Sequence, residues 1–416
     1  MKRGHVSPAI EVHATRERPL GMPPARFLRD YWQKHPLLIR GGFPTFGKAI
    51  AAEDLAGLAC EEAALSRIVL RDAKRDGWTL RNGPFAEADF ATLPATHWTL
   101  LVQDVDKWDL DVAKLLAHFD FLPSWRIDDV MVSYATDGGG VGAHVDQYDV
   151  FLIQGRGQRQ WRIDAGSSMQ VQGKNARIRA QNSRVAPSEF RDDTELKLLR
   201  HFTPTHEWLL EPGDALYLPP GIAHDGIAVG ECMTFSVGMR APSQAELLLD
   251  FAESLSESLG DGQRFVDPDL APPRNSGEID AHALARVRAA MPHFTNVDSS
   301  TLLQWFGRFI TRYRAAHDAA PRSKPMAVTQ LEARLPGTSL LRNPWSRTAW
   351  ARDGRATSLF VSGQRYPCPL ALARLLAGAP EVRGDEVLRC AGKTGLNVVA
   401  ELVNAGHWQL VRSRAR

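Results

Sequence analysis

The chain has 416 residues, 44% of them hydrophobic, and a formal net charge of +2. This length and apolar content predict two or three domains with substantial cores, and the small net charge predicts no overall attraction to nucleic acid or membranes. The four cysteines are scattered without a CxxC pair, which argues against a thiolate zinc site and for a reduced, cytoplasmic protein. No apolar signal segment follows the N-terminus, and no run is long enough to span a bilayer.

The first 241 residues mix helical and strand-like patterns. A helical pattern over 24–32 comes before strands predicted at 130–135, 148–154 and 159–163, the last two joined by a turn at 155–157. A glycine-rich turn at 138–142 lets the backbone approach a site closely. With a short buried strand that ends at Pro219, these segments predict an α+β domain built on a double-stranded β-helix, the cupin-type jelly roll.

Three side chains of this domain form a candidate metal site. His144 and Asp146 are spaced i, i+2, so both point to the same face of a strand, and His224 follows a Pro-Pro-Gly turn. Two imidazoles and one carboxylate are the facial triad that holds Fe(II) and leaves coordination positions open. In a chain with 13 histidines such a triplet alone has a second interpretation, an ordinary surface strand. The flanking glycine turn and strands favour the metal site.

Longer motifs surround these residues: Gly-Gly-Gly-Val-Gly-x-His-x-Asp-Gln-Tyr-Asp-Val-Phe, Gln-Gly-x-Gly-x-Arg-x-Trp and Leu-Pro-Pro-Gly-x-x-His. They resemble the JmjC-type 2-oxoglutarate oxygenases, and within that group the bacterial ribosomal oxygenases. The resemblance implies Fe(II) as the metal, with 2-oxoglutarate and O2 as co-substrates. It also implies that Arg159 binds the distal carboxylate of 2-oxoglutarate and that Ser133 assists. The alternative for Arg159 is an ordinary surface arginine of a strand.

A candidate substrate pocket lies next to these positions. Asp129 and Met131 share a strand face with Ser133, and Tyr148 follows the metal ligands. An acid, a thioether and an aromatic ring suit a guanidinium with its alkyl stem. The resemblance implies hydroxylation of an arginine β-carbon in large-subunit ribosomal protein sixteen. The alternative for the two strand residues is that Asp129 caps a turn and Met131 fills the core.

Other functions remain open for the same scaffold. A histidyl hydroxylase or a methyl-lysine demethylase would use the same metal and co-substrate. A non-catalytic, metal-sensing cupin regulator belongs to another class, and retention of all three ligands and Arg159 argues against it. A polar excursion between 164 and 206 carries Lys174, Arg177, Arg179 and Arg184. We interpret it as a solvated surface insertion, with a loop that covers the site as the alternative.

Residues 242–318 predict a helical module. Ser243 and Glu246 form a capping box, and the apolar residues Leu247, Leu248, Phe251, Leu255 and Leu259 then recur with helical spacing until Gly260. Further helices are predicted over 278–291 and from Ser300 to Tyr313. Three short helices cannot bury their apolar faces alone. The resemblance implies that they form a homodimer.

Residues 319–416 predict a winged-helix-like domain. A hairpin is predicted over 347–362, helices over 371–376 and 396–404, and a last strand over 407–411. A winged helix suggests DNA binding, but the presumed second helix, 397–404, has no Lys or Arg to meet phosphates. We therefore expect a structural or protein-contacting wing, no direct nucleic-acid binding, and a ribosomal protein as the partner.

Overall fold

The computed structural model describes residues 9–44, 46–165, 187–258, 281–290, 297–312 and 319–412. The chain divides into two compact units, Met1–Ala241 and Pro242–Arg416. The boundary between the units lies at Pro242, where the sequence pattern changes from strand-rich to helical. The further division into domains 242–318 and 319–416 stays a prediction.

The first unit is a strand-rich domain with short helices. Its strands are β1 (Glu11–His13), β2 (Leu37–Arg40), β3 (Ser66–Asp72), β4 (Gly77–Asn82), β5 (Trp98–Val102), β6 (Ile127–Ala135), β7 (His144–Val145), β8 (Val150–Asp164), β9 (His206–Leu210), β10 (Ala215–Leu218) and β11 (Ala223–Met239). Its α-helices are α1 (Pro24–Asp30), α2 (Ala52–Leu58), α3 (Glu87–Ala91), α4 (Val105–Trp108) and α5 (Leu110–Ala113). Short 3-10 helices form at Phe46–Lys48, Lys114–Phe119, Ser124–Arg126 and Pro187–Glu189.

The strands form the predicted double-stranded β-helix. The hydrogen-bonded order is β1-β2-β10-β8-β11-β6-β5-β3-β4, with β7 on β11 and β9 on β8. The two long strands β8 and β11 run through both sheets of the roll. The first half of β8 pairs with β10 and its second half pairs with β9, while β11 pairs with β8 along nearly all of its length. The jelly roll and the helices around it confirm the α+β prediction.

The predicted hairpin over 148–163 is wrong. The segment is one 15-residue strand, β8, because its two halves pair with β11 and not with each other. A register shift in β11 between Val229 and Met233 lies opposite the predicted turn. Gly157 has a φ of 63°, and a Cβ there would lie 2.0 Å from the carbonyl oxygen of Glu231. The glycines therefore bend the strand from one sheet into the other.

Two apolar layers hold the roll. The outer face of its larger sheet packs aromatic rings under the helices, with Phe27 and Tyr217 at 4.9 Å between ring centroids and Phe119 and Phe151 also at 4.9 Å. The inner layer includes Leu152 and Trp161, which are both buried. Each fully buried large side chain contributes about 1.5–3 kcal/mol. These layers fix the strands that carry the site.

The second unit begins with helices α6 (Gln244–Ser258), α7 (Ala281–Ala290) and α8 (Ser299–Thr311). The capping box is confirmed: the Ser243 N–H donates to Glu246 Oε2 at 2.7 Å, and the Glu246 N–H donates to Ser243 Oγ at 3.1 Å. All three predicted helices are present. Leu259, Gly260 and Tyr313, used in that prediction, lie outside the described residues.

The remaining part of this unit has the winged-helix architecture. Its helices are α9 (Val328–Arg334), α10 (Leu370–Gly378) and α11 (Gly384–Asn404); its strands are β12 (Thr338–Arg342), β13 (Thr348–Asp353), β14 (Ala356–Val361), β15 (Gln364–Pro367), β16 (Glu381–Arg383) and β17 (Trp408–Arg412). They form two sheets, β16-β12-β17 and β13-β14-β15. The predicted hairpin, both helices and the last strand are confirmed. Among the described residues, no helix is both long and apolar enough to cross a bilayer.

Candidate active site

The two predicted histidine ligands face each other across paired strands. His144 on β7 is the direct antiparallel partner of His224 on β11, and their ring centroids are 4.3 Å apart. Asp146 follows the last residue of β7 and completes the group. One ligand atom from each of the three side chains lies within 4.8 Å of the others. The structure therefore brings together all three residues of the predicted triad.

Backbone carbonyls orient both imidazoles. The Nδ1 of His144 lies 2.8 Å from the carbonyl oxygen of Gly142, and the Nδ1 of His224 lies 2.9 Å from that of Ile222. With Nδ1–H as donor, each Nε2 keeps its lone pair. The Nε2 atoms lie 4.0 Å and 3.7 Å from the two Asp146 carboxylate oxygens. Burial, and then the neighbouring His144, lower the pKa of His224 to about 4, so this ring is neutral at physiological pH. The group can hold a divalent metal ion.

The glycine-rich turn brings backbone close to the site, as predicted. A Cβ at Gly140 would lie 2.6 Å from the carbonyl oxygen of Gly226 on β11. The described end of the 164–206 excursion is anchored at the same place: the Leu199 N–H donates to the carbonyl of Ala143, next to His144, at 2.8 Å. Leu198 is buried there, so this end is not simply a solvated insertion. Lys174, Arg177, Arg179 and Arg184 lie outside the described residues.

Strand register places Arg159 deeper in the roll than the histidines. Ile163 on β8 pairs with His224, Trp161 pairs with Gly226, and Arg159 pairs with Ala228. Because side chains alternate along a strand, these three β8 residues share the inner face with His224. Arg159 is only 5% exposed and is therefore not a surface arginine.

A buried polar chain fixes the guanidinium of Arg159. Its Nη1 donates to Thr234 Oγ1 at 3.3 Å and to Ser133 Oγ at 3.4 Å. Thr234 in turn donates to Gln154 Oε1 at 3.1 Å, and the Gln154 amide donates to the Arg156 and Gly157 carbonyls. Sequence reasoning found Ser133 but missed Thr234 and Gln154. The only signal for Gln154 was a polar residue in an otherwise apolar strand.

The surroundings of Arg159 fit an anionic ligand. Among the described residues, Arg159 has no carboxylate partner, and its Nε has no hydrogen-bond acceptor. A buried cation without a counter-charge is costly, and a carboxylate that enters the roll removes this cost. The guanidinium also lies 5.6 Å from the centre of the Trp161 ring. The residues present therefore fit 2-oxoglutarate, with its distal carboxylate at Arg159 and its chelating end at the histidines.

Asp129 and Tyr148, two of the three candidate substrate residues, lie close to Gly238, which pairs with Val150 just after the turn that carries Asp146. Met131 pairs with Ser236 and Ser133 with Thr234, so Asp129 is one inward-facing position beyond Met131, near Gly238. A Cβ at Gly238 would lie 3.3 Å from Asp129 Oδ1 and 4.0 Å from a ring carbon of Tyr148. The structure thus brings Asp129 and Tyr148 close to the same glycine. Sequence reasoning missed Gly238, where any side chain would crowd the Asp129 carboxylate.

Asp129 is a buried carboxylate with backbone support. Burial, and then the charge of Asp128, raise its pKa to about 6. The N–H of Asp104 donates to Asp129 Oδ2 at 3.1 Å, from a residue with a φ of 58°. Lys107, close by, forms an ion pair with Asp106. A guanidinium placed against Asp129 would stabilise its charged form.

A second buried aspartate holds the turn after the metal ligands. Asp149 accepts hydrogen bonds from the Tyr217 hydroxyl at 2.6 Å and the Gln33 amide at 2.9 Å. It is fully buried, and burial raises its pKa. Because its partners come from β10 and from the turn that follows α1, Asp149 ties the 146–149 turn to the core. This contact positions both Asp146 and Tyr148.

Comparison with known proteins agrees with this geometry. The JmjC domain family matches residues 114–247, and a ROXA-like winged helix family matches residues 294–409. The chain is 36% identical over 389 residues to the ribosomal protein uL16 3-hydroxylase of Escherichia coli, covering 92% of this chain and 96% of that protein. A probable ribosomal oxygenase of Haemophilus influenzae is 37% identical over 253 residues, 61% of this chain and 56% of that protein.

A solved structure is similar over nearly the whole chain. It is YcfD, a ribosomal oxygenase from Escherichia coli, in complex with cobalt and 2-oxoglutarate. The TM-score is 0.76 at 33% sequence identity, with 94% of this chain and 99% of that one covered. A metal and 2-oxoglutarate are thus bound by a relative of the same fold. This chain belongs to the bacterial ribosomal oxygenases and is a JmjC-type, 2-oxoglutarate- and Fe(II)-dependent dioxygenase.

Proposed function

We propose that this enzyme hydroxylates the β-carbon of an arginine in ribosomal protein uL16. His144, Asp146 and His224 hold Fe(II), and Arg159 with Ser133 binds the distal carboxylate of 2-oxoglutarate. Asp129, Met131 and Tyr148 hold the substrate side chain. With Fe(II) and 2-oxoglutarate bound, O2 supplies one oxygen atom to a C–H bond of the substrate and the other to succinate, with release of CO2.

The protein's own contribution is placement. The carbonyls of Gly142 and Ile222 hold the imidazole rings with Nε2 towards the metal position. Thr234 and Ser133 hold the guanidinium of Arg159 for a bidentate pair with a carboxylate. The apolar inner layer around Trp161 keeps water away from that pair and so strengthens it.

The observation that carries the arginine assignment is the buried Asp129 beside Gly238. A charged carboxylate that is only 7% exposed is stabilised by a nearby cation, and the glycine leaves Asp129 Oδ1 without a side chain over it at position 238. The stem of an arginine would then lie against Met131 while Tyr148 covers it. The Escherichia coli relative is a uL16 3-hydroxylase, which supports the same substrate and position.

The test is mass spectrometry of a uL16 peptide incubated with enzyme, Fe(II), 2-oxoglutarate and O2. We expect a gain of about sixteen mass units on one arginine, as insertion of one oxygen atom requires. A peptide with lysine in its place should react far less, because an ammonium lacks the planar fork of a guanidinium. Equal reaction of both peptides would refute the arginine assignment.

The other two candidate enzymatic functions would give different products. A histidyl hydroxylase would add the oxygen to histidine, and a methyl-lysine demethylase would remove a methyl group as formaldehyde. Mapping the residue that carries the added oxygen identifies a histidyl hydroxylase, and a formaldehyde assay identifies a demethylase.

We also place the enzyme in the cytoplasm, where ribosomal proteins are made and assembled.

We further propose a homodimer formed through α6 and α8. Leu248 on α6 is 59% exposed and Leu302 on α8 is 47% exposed, and they line one apolar groove. The two helices are joined beneath it, with the Trp305 indole N–H donating to Asp250 at 2.8 Å. Exposed apolar surface of this kind favours burial against a second copy.

A further inference from the structure

The net charge of +2 conceals two oppositely charged parts of the chain. Residues 319–416 contain fifteen Lys and Arg against six Asp and Glu, a net charge of +9. The first 318 residues hold the other 35 basic and 42 acidic residues, a net charge of −7. Such asymmetry points to an anionic partner for the basic part, which the overall charge does not reveal.

The basic charge has an exposed aromatic centre on the wing. Trp350 on β13 is 36% exposed, and the guanidinium of Arg374 on α10 lies 5.1 Å from the centre of its ring. Arg352 lies two residues further along β13, on the same face as Trp350. Arg355 is in the turn that joins β13 to β14. We call these four residues the wing patch.

The cations of the wing patch are not neutralised within the protein. In the described part of the chain, Arg352, Arg355 and Arg374 form no ion pair and no side-chain hydrogen bond. The nearest acid in sequence, Asp353, accepts a hydrogen bond from the Ser300 hydroxyl and faces the other side of the strand. By contrast, Arg383 and Arg389 pair with Asp385 and Glu386.

We propose that the wing patch binds single-stranded RNA. Guanidinium groups contact phosphates, and an exposed indole beside them offers a surface on which an unpaired base can stack. A duplex offers no unpaired base for this stacking. Residues 397–404 of α11 also carry no basic side chain that could enter a major groove, and Glu401 among them is exposed. Both observations favour a single strand. The choice of RNA over DNA rests on the proposed ribosomal substrate, whereas the binding of a single strand does not.

The test is fluorescence anisotropy with a labelled, mixed-sequence, twelve-nucleotide RNA and the full-length enzyme. We expect binding that weakens with salt, and removal of two phosphate contacts in R352Q/R374Q should flatten the log–log salt slope by about 1.4. The matched control R383Q/R389Q also loses two positive charges, but from paired arginines. It should keep the wild-type slope. Trp350→Leu should weaken binding about tenfold with little change of slope, because stacking carries no net charge.

Several results would overturn the proposal. One is a wild-type enzyme that does not bind the RNA at 50 mM salt. Another is an equal loss of RNA affinity in R383Q/R389Q and in R352Q/R374Q. Duplex RNA bound as tightly as the single strand would remove the stacking role of Trp350, and a single-stranded DNA bound more tightly would reject RNA. Polyglutamate competing as well as RNA would indicate an acidic protein instead. The assay needs no Fe(II), 2-oxoglutarate or peptide, so its outcome is independent of the hydroxylation test.

Discussion

His144 and His224 are direct partners across two antiparallel strands, and each ring is held by the carbonyl oxygen of the residue two positions earlier. The geometry of this pair is therefore set by backbone, not by long side chains. Substitution of either ring or of Asp146 should remove the metal while leaving the roll folded.

His144→Ala and Asp146→Ala should each abolish 2-oxoglutarate turnover. Two remaining ligands hold Fe(II) much more weakly than three, because each open position is filled by water. Succinate formation measures turnover, and a cobalt titration followed by absorbance measures metal binding. Circular dichroism melting is the control for folding. Full activity in either variant would rule out the metal assignment.

Arg159→Ala should raise the KM for 2-oxoglutarate more than tenfold, since a charge-assisted pair contributes about 1.5–3 kcal/mol. Arg162→Ala is the matched control, because Arg162 lies on the opposite face of β8 and pairs with Asp225. Its KM should stay near that of the wild type. Anaerobic titration of 2-oxoglutarate into the Fe(II) enzyme gives the affinity separately from catalysis. If Arg159→Ala left the affinity unchanged, another cation would bind the carboxylate.

Thr234→Val should raise the KM for 2-oxoglutarate by a smaller factor, about two- to tenfold, because one neutral hydrogen bond contributes roughly 0.5–1.5 kcal/mol. Valine keeps the shape of threonine but cannot accept from Arg159. Thr234→Ser keeps the hydroxyl and should restore the affinity. Ser236→Ala, two residues along the same strand, controls for loss of a buried hydroxyl. Equal behaviour of the valine and serine variants would mean that Thr234 does not orient Arg159.

Asp129→Asn should abolish arginine hydroxylation and yet stabilise the fold above pH 6. The pKa of Asp129 is raised to about 6, so its protonated form favours the folded state. That stabilisation is complete below the unfolded pKa near 4 and is lost as the pH rises through 6. An uncharged amide avoids the loss, on the order of 2–3 kcal/mol at pH 7.5. Urea unfolding at pH 7.5 and pH 4 measures the difference, and an equal gain at both would contradict the mechanism.

Leu248→Glu combined with Leu302→Glu should convert the dimer to a monomer. Two charges in the groove between α6 and α8 would have to lose water on association. Leu209→Glu, an exposed leucine of the first unit, is the control and should stay dimeric. Light scattering at micromolar concentration measures the mass. A monomeric wild type would refute the interface.

The sequence predicted the helical periodicities, the capping box and the ligand spacing because these depend on neighbours a few positions apart. The β8 segment was wrongly predicted as a hairpin, because two glycines around an arginine are typical both of a hairpin turn and of a bent strand. Only pairing of both halves with β11 separates the two. Thr234 and Gln154 were missed because their contacts join residues 75 and 80 positions apart. The wing patch was missed for another reason, because the charges were summed over the whole chain.

The length of β8 and β11 has a consequence for which acids the enzyme accepts. His224 and the partner of Arg159, Ala228, are four residues apart on one strand, about 13 Å between Cα atoms at 3.3 Å per residue. The groups that would bind the two ends of the co-substrate thus lie four residues apart along the paired strands β8 and β11. We expect a 2-oxo diacid one methylene shorter or longer to bind more weakly, because it would have to span the same separation between the metal ligands and the guanidinium. The residue spacing along these strands would then set the length of 2-oxo diacid that the enzyme selects.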